Sequence, residues 1–288
     1  MLRIQNILFP VDFSERCSAA ALHAAAIARH FDAKLTVLHV LQIPPVWYGD
    51  LAAAELELLV DIEQLKKDRR HTLDAYLRSE LQNVSKLEKL VENGDPAHVI
   101  TEYARKEQMD LIMMPTHGHG PFRRLLLGSV TAKVLHDAQC PVWTDVHDEM
   151  SFARLGCQAV MCAVDLRPEA VASMQWAATF AEFHKAELTL MHAIPALDSP
   201  APVGEVRFRA YLTEYAREYI MDLQRKAGIT AKVCIEGGKI ADTVRNAAVH
   251  HASDLLVIGQ GCLHETLGGL RSNAYSIIRK SPCPVVRV

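Results

Sequence analysis

Apolar residues in this chain gather in short unbroken runs instead of alternating with polar ones. Ile7 to Val11, Leu35 to Val40 and Leu111 to Met114 are the clearest in the first half. An alternating strand turns one face to water, whereas a continuous run of five or six is covered on both faces, as in a parallel sheet between helices. Helical stretches separate the runs. Residues 15–31 are rich in Ala with apolar positions at helical spacing, and residues 52–81 are rich in Leu and charged on one face. Lys86 to Val91 reads as a third, more exposed strand. Pro96 sits where a helix starts and residues 97–106 continue it; after the Leu111 strand come a Gly-bearing loop, a helix over 129–137 and a last strand over 142–146. Five strands thus alternate with four helices. Right-handed crossovers turn that order into an open, doubly wound, Rossmann-like α/β sheet, with any ligand crevice at the carboxyl ends of strands 1 and 4.

The same order then returns. Ile7-Leu8-Phe9-Pro10-Val11-Asp12 and Leu35-Thr36-Val37-Leu38-His39-Val40 reappear as Val160-Met161-Cys162-Ala163-Val164-Asp165 and Leu188-Thr189-Leu190-Met191-His192-Ala193, both shifted by 153 positions. Asp110-Leu111-Ile112 matches Asp254-Leu255-Leu256, and Cys140-Pro141-Val142 matches Cys283-Pro284-Val285. A period this long is that of a domain, not of a solenoid repeat. The expectation is two tandem domains, 1–148 and 153–288, each with a five-stranded parallel sheet, packed as an intrachain pseudo-dimer; two such chains could associate further. The second copy reads residues 205–226 as its second helix and opens its third at Lys239-Ile240.

Composition narrows the function classes. The 288 residues are half apolar and 23% charged with a net charge of −3, so no polyanionic partner is implied and nucleic acid is an unexpected ligand. No run approaches the roughly 18–20 apolar residues of a membrane span, and the N-terminus leads straight into a strand, which predicts a cytoplasmic protein. Seven scattered cysteines without a CxxC pair argue against a disulfide framework and a zinc site.

Candidate chemistry concentrates after strand 4. There the chain reads Pro115-Thr116-His117-Gly118-His119-Gly120, and nine residues separate Gly118 from Gly128, which with Ser129 opens a helix. Glycines let backbone N–H groups approach an anion, a helix N-terminus adds partial positive charge, and the Ser129 hydroxyl can donate. That describes a phosphate cradle. It equally describes a strand-to-helix connection with Gly for turning and Ser as N-cap.

The Gly-x9-Gly-Ser loop, the Phe9-Pro10-Val11-Asp12 strand end, the His39-Val40 strand end, Gly94-Asp95-Pro96-Ala97 and Cys140-Pro141-Val142 together resemble the universal stress protein (UspA-like) family, over nearly the whole chain as two copies. The resemblance implies a stress-response sensor or regulator that binds an adenine nucleotide, ATP (with accompanying Mg) or AMP. Asp12 would then contact adenosine, Val40 would meet adenine through its backbone, and Gly118, Gly128, Ser129 and Val130 would hold phosphates. Pro10, Val11, Met114, Pro115, His117 and His119 would line the same site. The family loop is Gly-x2-Gly-x9-Gly-(Ser/Thr), and this chain departs from it. Pro115 replaces the first glycine, removing one N–H donor and stiffening the start of the loop. The second copy reads Gly259-Gln260-Gly261 and then Arg271-Ser272, which makes it either a degenerate structural copy or one that meets phosphate with a guanidinium.

Other residues stay subordinate. His117 and His119 lack a carboxylate or thiolate at ligand spacing, so no metal is expected. Arg123 and Arg124 either neutralise phosphate or line a surface. No partner base accompanies Asp12 or Asp165, so no catalytic residue is assigned and any ATP hydrolysis would be slow. The alternatives are a scaffold that binds no nucleotide and an enzyme of slow phosphotransfer.

Overall fold

The computed structural model describes residues 4–42, 62–116, 127–145, 156–194, 203–260 and 273–288. They fall into two compact units, one built mainly on Arg3–Pro121 and Gly128–Cys140, the other mainly on Pro141–Val288.

The first unit contains β1 (Asn6–Val11), α1 (Glu15–Phe31), β2 (Lys34–Leu41), α2 (Ile62–Ala75), α3 (Arg78–Leu81), β3 (Leu87–Asn93), α4 (Pro96–Lys106), β4 (Leu111–Pro115) and α5 (Ser129–Asp137). Its strands lie in the order β3-β2-β1-β4, all parallel. Ile7, Leu8, Phe9, Leu35, Val37, Leu38, Leu111 and Ile112 are fully buried, as continuous apolar runs require of strands covered on both faces. The alanines of α1 explain its close seat on the sheet: Ala21, Ala24, Ala25 and Ala28 are buried with Ile27, and small side chains let the helix backbone come near. Helix α1 ends at Asp32, whose φ of 51° is left-handed.

The long second helix expected over 52–81 is, in its described part, two pieces. Leu77 takes a φ of 58° between α2 and α3. A helix that stops leaves its last carbonyls unpaired, and here Lys89 of β3 meets them: its Nζ donates to the carbonyls of Leu73, Asp74 and Tyr76 at 2.7, 3.1 and 2.9 Å. Helix α4 starts as the sequence predicts. Asp95 is its N-cap, accepting from the His98 N–H at 3.0 Å, with Pro96 in the first turn.

The second unit contains β5 (Val142–Asp145), β6 (Ala159–Ala163), α6 (Ala170–His184), β7 (Glu187–Ile194), α7 (Val203–Ala227), β8 (Lys232–Gly237), α8 (Ile240–His250), β9 (Leu255–Ile258), α9 (Asn273–Lys280) and β10 (Val285–Arg287). Its order is β5-β10-β9-β6-β7-β8. All neighbours are parallel except β5 and β10, which pair antiparallel from Val142↔Arg287 to Thr144↔Val285. The doubly wound α/β expectation holds, with that one antiparallel ladder as the departure from an all-parallel sheet. The repeat in sequence counts β5 with the first copy, whereas compactness groups it with the second.

One clamp appears in both units. The Asp110 carboxylate accepts from the N–H groups of Gln5 and Asn6 at 2.7 and 2.9 Å, and Asp254 accepts from Gln158 and Ala159 at the same two distances. The repeated Asp before strands β4 and β9 is therefore a structural residue that fixes where the first strand of each copy begins, at the end of the sheet away from the crevice.

Candidate functional site

Strands β1 and β4 are neighbours that part company early. β1 pairs with β2 over six positions, Asn6↔Lys34 to Val11↔His39, but with β4 only at Ile7↔Leu111 and Leu8↔Ile112. In the second unit the equivalent ladder runs on, from Val160↔Leu255 to Ala163↔Ile258. The residue at the point of difference is Pro10, where the second copy has Ala163. Proline has no N–H to give a neighbouring strand, so beyond Leu8 the carboxyl ends of β1 and β4 are free to separate.

At that separation the chain turns through Asp12. Its Oδ1 accepts from the Ser14 N–H at 2.9 Å, an Asx turn, and from the Cys17 thiol at 3.1 Å. Burial, then the charge of Asp12, pushes the Cys17 pKa up to about 12, so the thiol stays protonated as a donor. Phe13 between them has a φ of 64°, a conformation that costs a non-glycine residue energy and that the surroundings must hold. They do: its ring centroid lies 4.4 Å from that of His39 and 4.9 Å, edge-on, from that of Tyr76. Tyr76 Oη donates to the Ser14 carbonyl at 2.9 Å, and burial pushes its pKa up to about 12. His39 Nδ1 donates to the Val11 carbonyl at 2.9 Å, and burial lowers its pKa, with the nearby Arg69 acting in the same sense.

The loop after β4 is tied at its stem. The Gly128 N–H donates to the Thr116 carbonyl at 3.0 Å, and the buried Thr131 hydroxyl donates to the Pro115 carbonyl at 3.2 Å. Helix α5 begins there, its first intrahelical bond running from Ala132 N–H to Gly128 C=O at 2.8 Å. The N–H groups of Ser129 and Val130 precede that bond and have no partner within the helix. Ser129 is exposed. Gly128 is the N-cap, at φ −60° and ψ 143°, which any residue can adopt. Its expected backbone donation to phosphate does not match the geometry, since that N–H already serves the loop stem.

At the same end of the sheet, Val40 is the last residue but one of β2, half-buried and opposite Glu92 of β3. The next turn uses Gly94, whose N–H donates to the Leu41 carbonyl at 3.0 Å. Its φ of 140° and the nearness of Val99 Cγ2, 2.9 Å from where a Cβ would stand, make any other residue strained here.

Pro10, Val11, Asp12, Val40, Met114, Pro115, Gly128, Ser129 and Val130 thus lie at one end of the unit, at the carboxyl ends of β1, β2 and β4 and the start of α5. His117, Gly118, His119, Arg123 and Arg124 lie outside the described residues. Sequence reasoning missed Phe13, Ser14, Cys17 and Tyr76. The Asp12-x-Ser14 spacing was the available signal for the first three; Tyr76, 62 residues from its partner, offered none. Among the described residues no group of three or more His, Cys, Asp or Glu is placed to hold a metal ion.

The second copy keeps the frame and changes the turn. His192 Nδ1 donates to the Val164 carbonyl at 2.7 Å, matching His39. Gly238 donates to the Ile194 carbonyl at 3.0 Å, matching Gly94. Asp165 follows β6 as Asp12 follows β1, but Ser14 and Cys17 correspond to Arg167 and Ala170. Arg167 Nε stands 4.0 Å from Asp165 Oδ2, and burial raises the Asp165 pKa against that attraction. Between β6, β7 and β9 and the helices α8 and α9 lies a crevice that includes Asp165, His192 and Gly259. Arg271 and Ser272 lie outside the described residues.

Comparison with known proteins agrees with this architecture. The sequence model of the Universal stress protein family matches the chain twice, over residues 3–145 and 157–288. A universal stress protein of Methanocaldococcus jannaschii is 34% identical over 138 residues, covering 48% of this chain and 79% of that one. Another from Thermus aquaticus is 33% identical over 138 residues, covering 48% and 96%. The crystal structure of a universal stress protein from Archaeoglobus fulgidus superposes over 100% of this chain and 97% of its own with a TM-score of 0.67 at 20% identity, a likeness of fold. Two matches to one family model, over two copies of one strand order and one aspartate clamp, place this chain in the universal stress protein family as a tandem member.

Proposed function

We propose that the first domain binds an adenine nucleotide, ATP or AMP, and that the chain works as a stress-linked sensor or regulator. The observation that carries this reading is the end of β1–β4 pairing before Pro10, at the end of the sheet where β4 is tied to α5 through Thr131 and the Pro115 carbonyl. That end of the unit carries a carboxylate, Asp12, after β1 and, at the start of α5, the N–H groups of Ser129 and Val130, which have no partner within the helix. A ligand with a hydroxyl-bearing sugar and an anionic tail suits those two ends. In this reading Asp12 accepts from ribose, the backbone at Val40 meets adenine, and Ser129 with Val130 receives phosphate; magnesium comes with ATP. Binding is the activity proposed; the histidine near Asp12, His39, donates through Nδ1 to the Val11 carbonyl and packs against Phe13.

The bound Gly128 N–H and the proline at position 115 favour a second reading, a scaffold that works through protein contacts without nucleotide. Mass spectrometry of small molecules released from the purified, denatured protein, joined with calorimetric titration by ATP and Mg²⁺, separates the two. One nucleotide per chain, lost on Asp12→Ala, supports binding in the first domain. No heat and no released nucleotide would leave the scaffold.

A further inference from the structure

Each unit keeps one open sheet edge. β3 in the first and β8 in the second have a single neighbouring strand among the described residues. Such an edge presents main-chain N–H and C=O groups that have no partner in their own sheet. Which residues present them follows from the ladders. The Gly238 N–H donates to the Ile194 carbonyl, and parallel pairing alternates from there, so Cys234 and Glu236 turn their main chain towards β7. Val233, Ile235 and Gly237 turn theirs outward. In β3 the Gly94 bond to Leu41 and the Leu35 bond to Lys86 set the same alternation, which turns Leu87, Lys89, Val91 and Asn93 outward.

The two edges differ in what they offer a copy of themselves. β8 reads Lys232-Val233-Cys234-Ile235-Glu236-Gly237, with no proline to close the edge. Lys232, Cys234 and Glu236 share one face, along which the Cys234 thiol donates to Glu236 Oε1 at 3.6 Å. Lys232 is exposed and pairs with Glu187 of β7, whereas Glu236 has no cation partner among the described residues. Laid antiparallel on a second β8 about a two-fold axis at Cys234, Lys232 meets Glu236 at both ends and Val233 meets Ile235. Val233 and Ile235 then exchange their outward N–H and C=O groups. The two Cys234 become a non-hydrogen-bonded pair with Cα atoms about 4.5 Å apart, within the span of a disulfide. β3 has no such symmetry. About its middle residue, Leu90, Glu88 meets Glu92, and like charges directly opposite destabilise a pair.

We propose that β8 is a docking edge for a second copy of this chain, paired antiparallel with the partner's β8 about Cys234 so that the sheets of the two second units join. Charge complementarity along the strand selects this occupant and this register. A strand of six residues makes a small interface, so the dimer is weak and depends on concentration. The inference uses no residue of the nucleotide reading and stands apart from it.

Sedimentation velocity of the full chain over a concentration series should show a monomer–dimer equilibrium. Ile235→Pro removes an N–H that has no partner within the sheet; it leaves the β7–β8 ladder whole and should weaken the dimer by at least about tenfold. Lys232→Glu and Glu236→Lys each set like charges opposite at two places and should weaken it by roughly ten- to a hundredfold. Made together, they restore opposite charges and should bring the dimer back. Diamide, which takes the hydrogens of two thiols to form one disulfide, should link the chains from Cys234 to Cys234, as read by peptide mass spectrometry. Burial, then Glu236, pushes the Cys234 thiol up to about 11, so this step is run at about pH 9 to supply thiolate. A chain that stays monomeric up to its solubility limit, a dimer that survives Ile235→Pro, or a double charge variant as weak as either single one would each overturn the proposal. So would chains linked through another cysteine with Cys234 left free.

Discussion

In the first copy the carboxylate at the end of β1 is held by two donors from its own chain, and in the second its counterpart stands 4.0 Å from an arginine with neither donor. The neighbouring parts are the same in kind. Each copy has a histidine bonded through Nδ1 to the carbonyl before the aspartate, and a glycine bonded to the end of its second strand. Each also has an aspartate clamping the start of its first strand. What differs is confined to a few positions at the mouth: Pro10 against Ala163, Ser14 against Arg167, Cys17 against Ala170. A sheet buried on both faces tolerates little change, because any altered volume is felt by close-packed neighbours. The turns at its carboxyl end carry no such constraint, so the two copies diverge in chemistry while keeping one frame.

The comparison breaks most visibly if both copies respond alike to nucleotide. ATP with Mg²⁺ at a hundredfold excess over Kd should stabilise the first domain by about 2.7 kcal/mol and leave the second unmoved in differential scanning calorimetry. Asp12→Ala should erase the shift and Asp165→Ala should not. Equal shifts in both domains would mean that the second loop binds phosphate too, with Arg271 in the role of a missing glycine.

The two glycines are the next largest effect. Gly238 has a φ of 158°, and a Cβ there would collide with Thr243 Oγ1; Gly94 faces Val99 in the same way. Either change to Ala should cost roughly 1–3 kcal/mol, with Gly238 the costlier because its obstacle is nearer, measured by urea denaturation. Pro10→Ala sharpens the comparison from the other side. It restores an N–H where the second copy has one, and a ladder bond is worth roughly 0.5–1.5 kcal/mol. The expected result is greater hydrogen-exchange protection near residue 10 and nucleotide binding weakened by up to about tenfold.

The smallest effect is Asp165→Asn. The native state holds the Asp165 proton to higher pH than the unfolded chain does, because burial raises its pKa. Stability contributed by this group is therefore greatest at low pH and declines as pH rises from the ordinary carboxylate range through the raised value. Replacing it with Asn should remove that decline and slightly stabilise the second domain at neutral pH, visible as a flatter dependence of melting temperature on pH.

Local pattern carried much of this structure in the sequence. Continuous apolar runs predicted buried parallel strands, Asp95-Pro96 predicted the start of α4, and the shifted repeat predicted two copies of one order. The strand ends of the candidate site were legible for the same reason, since each closes an apolar run. Features that depend on distant partners were not. The break at Leu77 in the second helix is met by Lys89 from another element, and β5 finds an antiparallel partner 141 positions along the chain, between Thr144 and Val285. The left-handed turn at Phe13 rests on rings from β2 and from the end of α2. Gly128 read as a phosphate donor because its type allows close approach; only the fold reveals that Thr116 has taken its N–H.

The aspartate clamps have a consequence during synthesis. Gln5 waits for Asp110, 105 residues later, and Gln158 waits for Asp254, 96 residues later. At roughly 5–20 residues per second, each first strand leaves the ribosome many seconds before the carboxylate that sets its start. Until then the β1–β2 pair has α1 to cover it but lacks β4 on the other side of β1. A growing chain stalled short of residue 110 should be bound by chaperones and cut by proteases, and one long enough for Asp110 to have cleared the exit tunnel should resist both better.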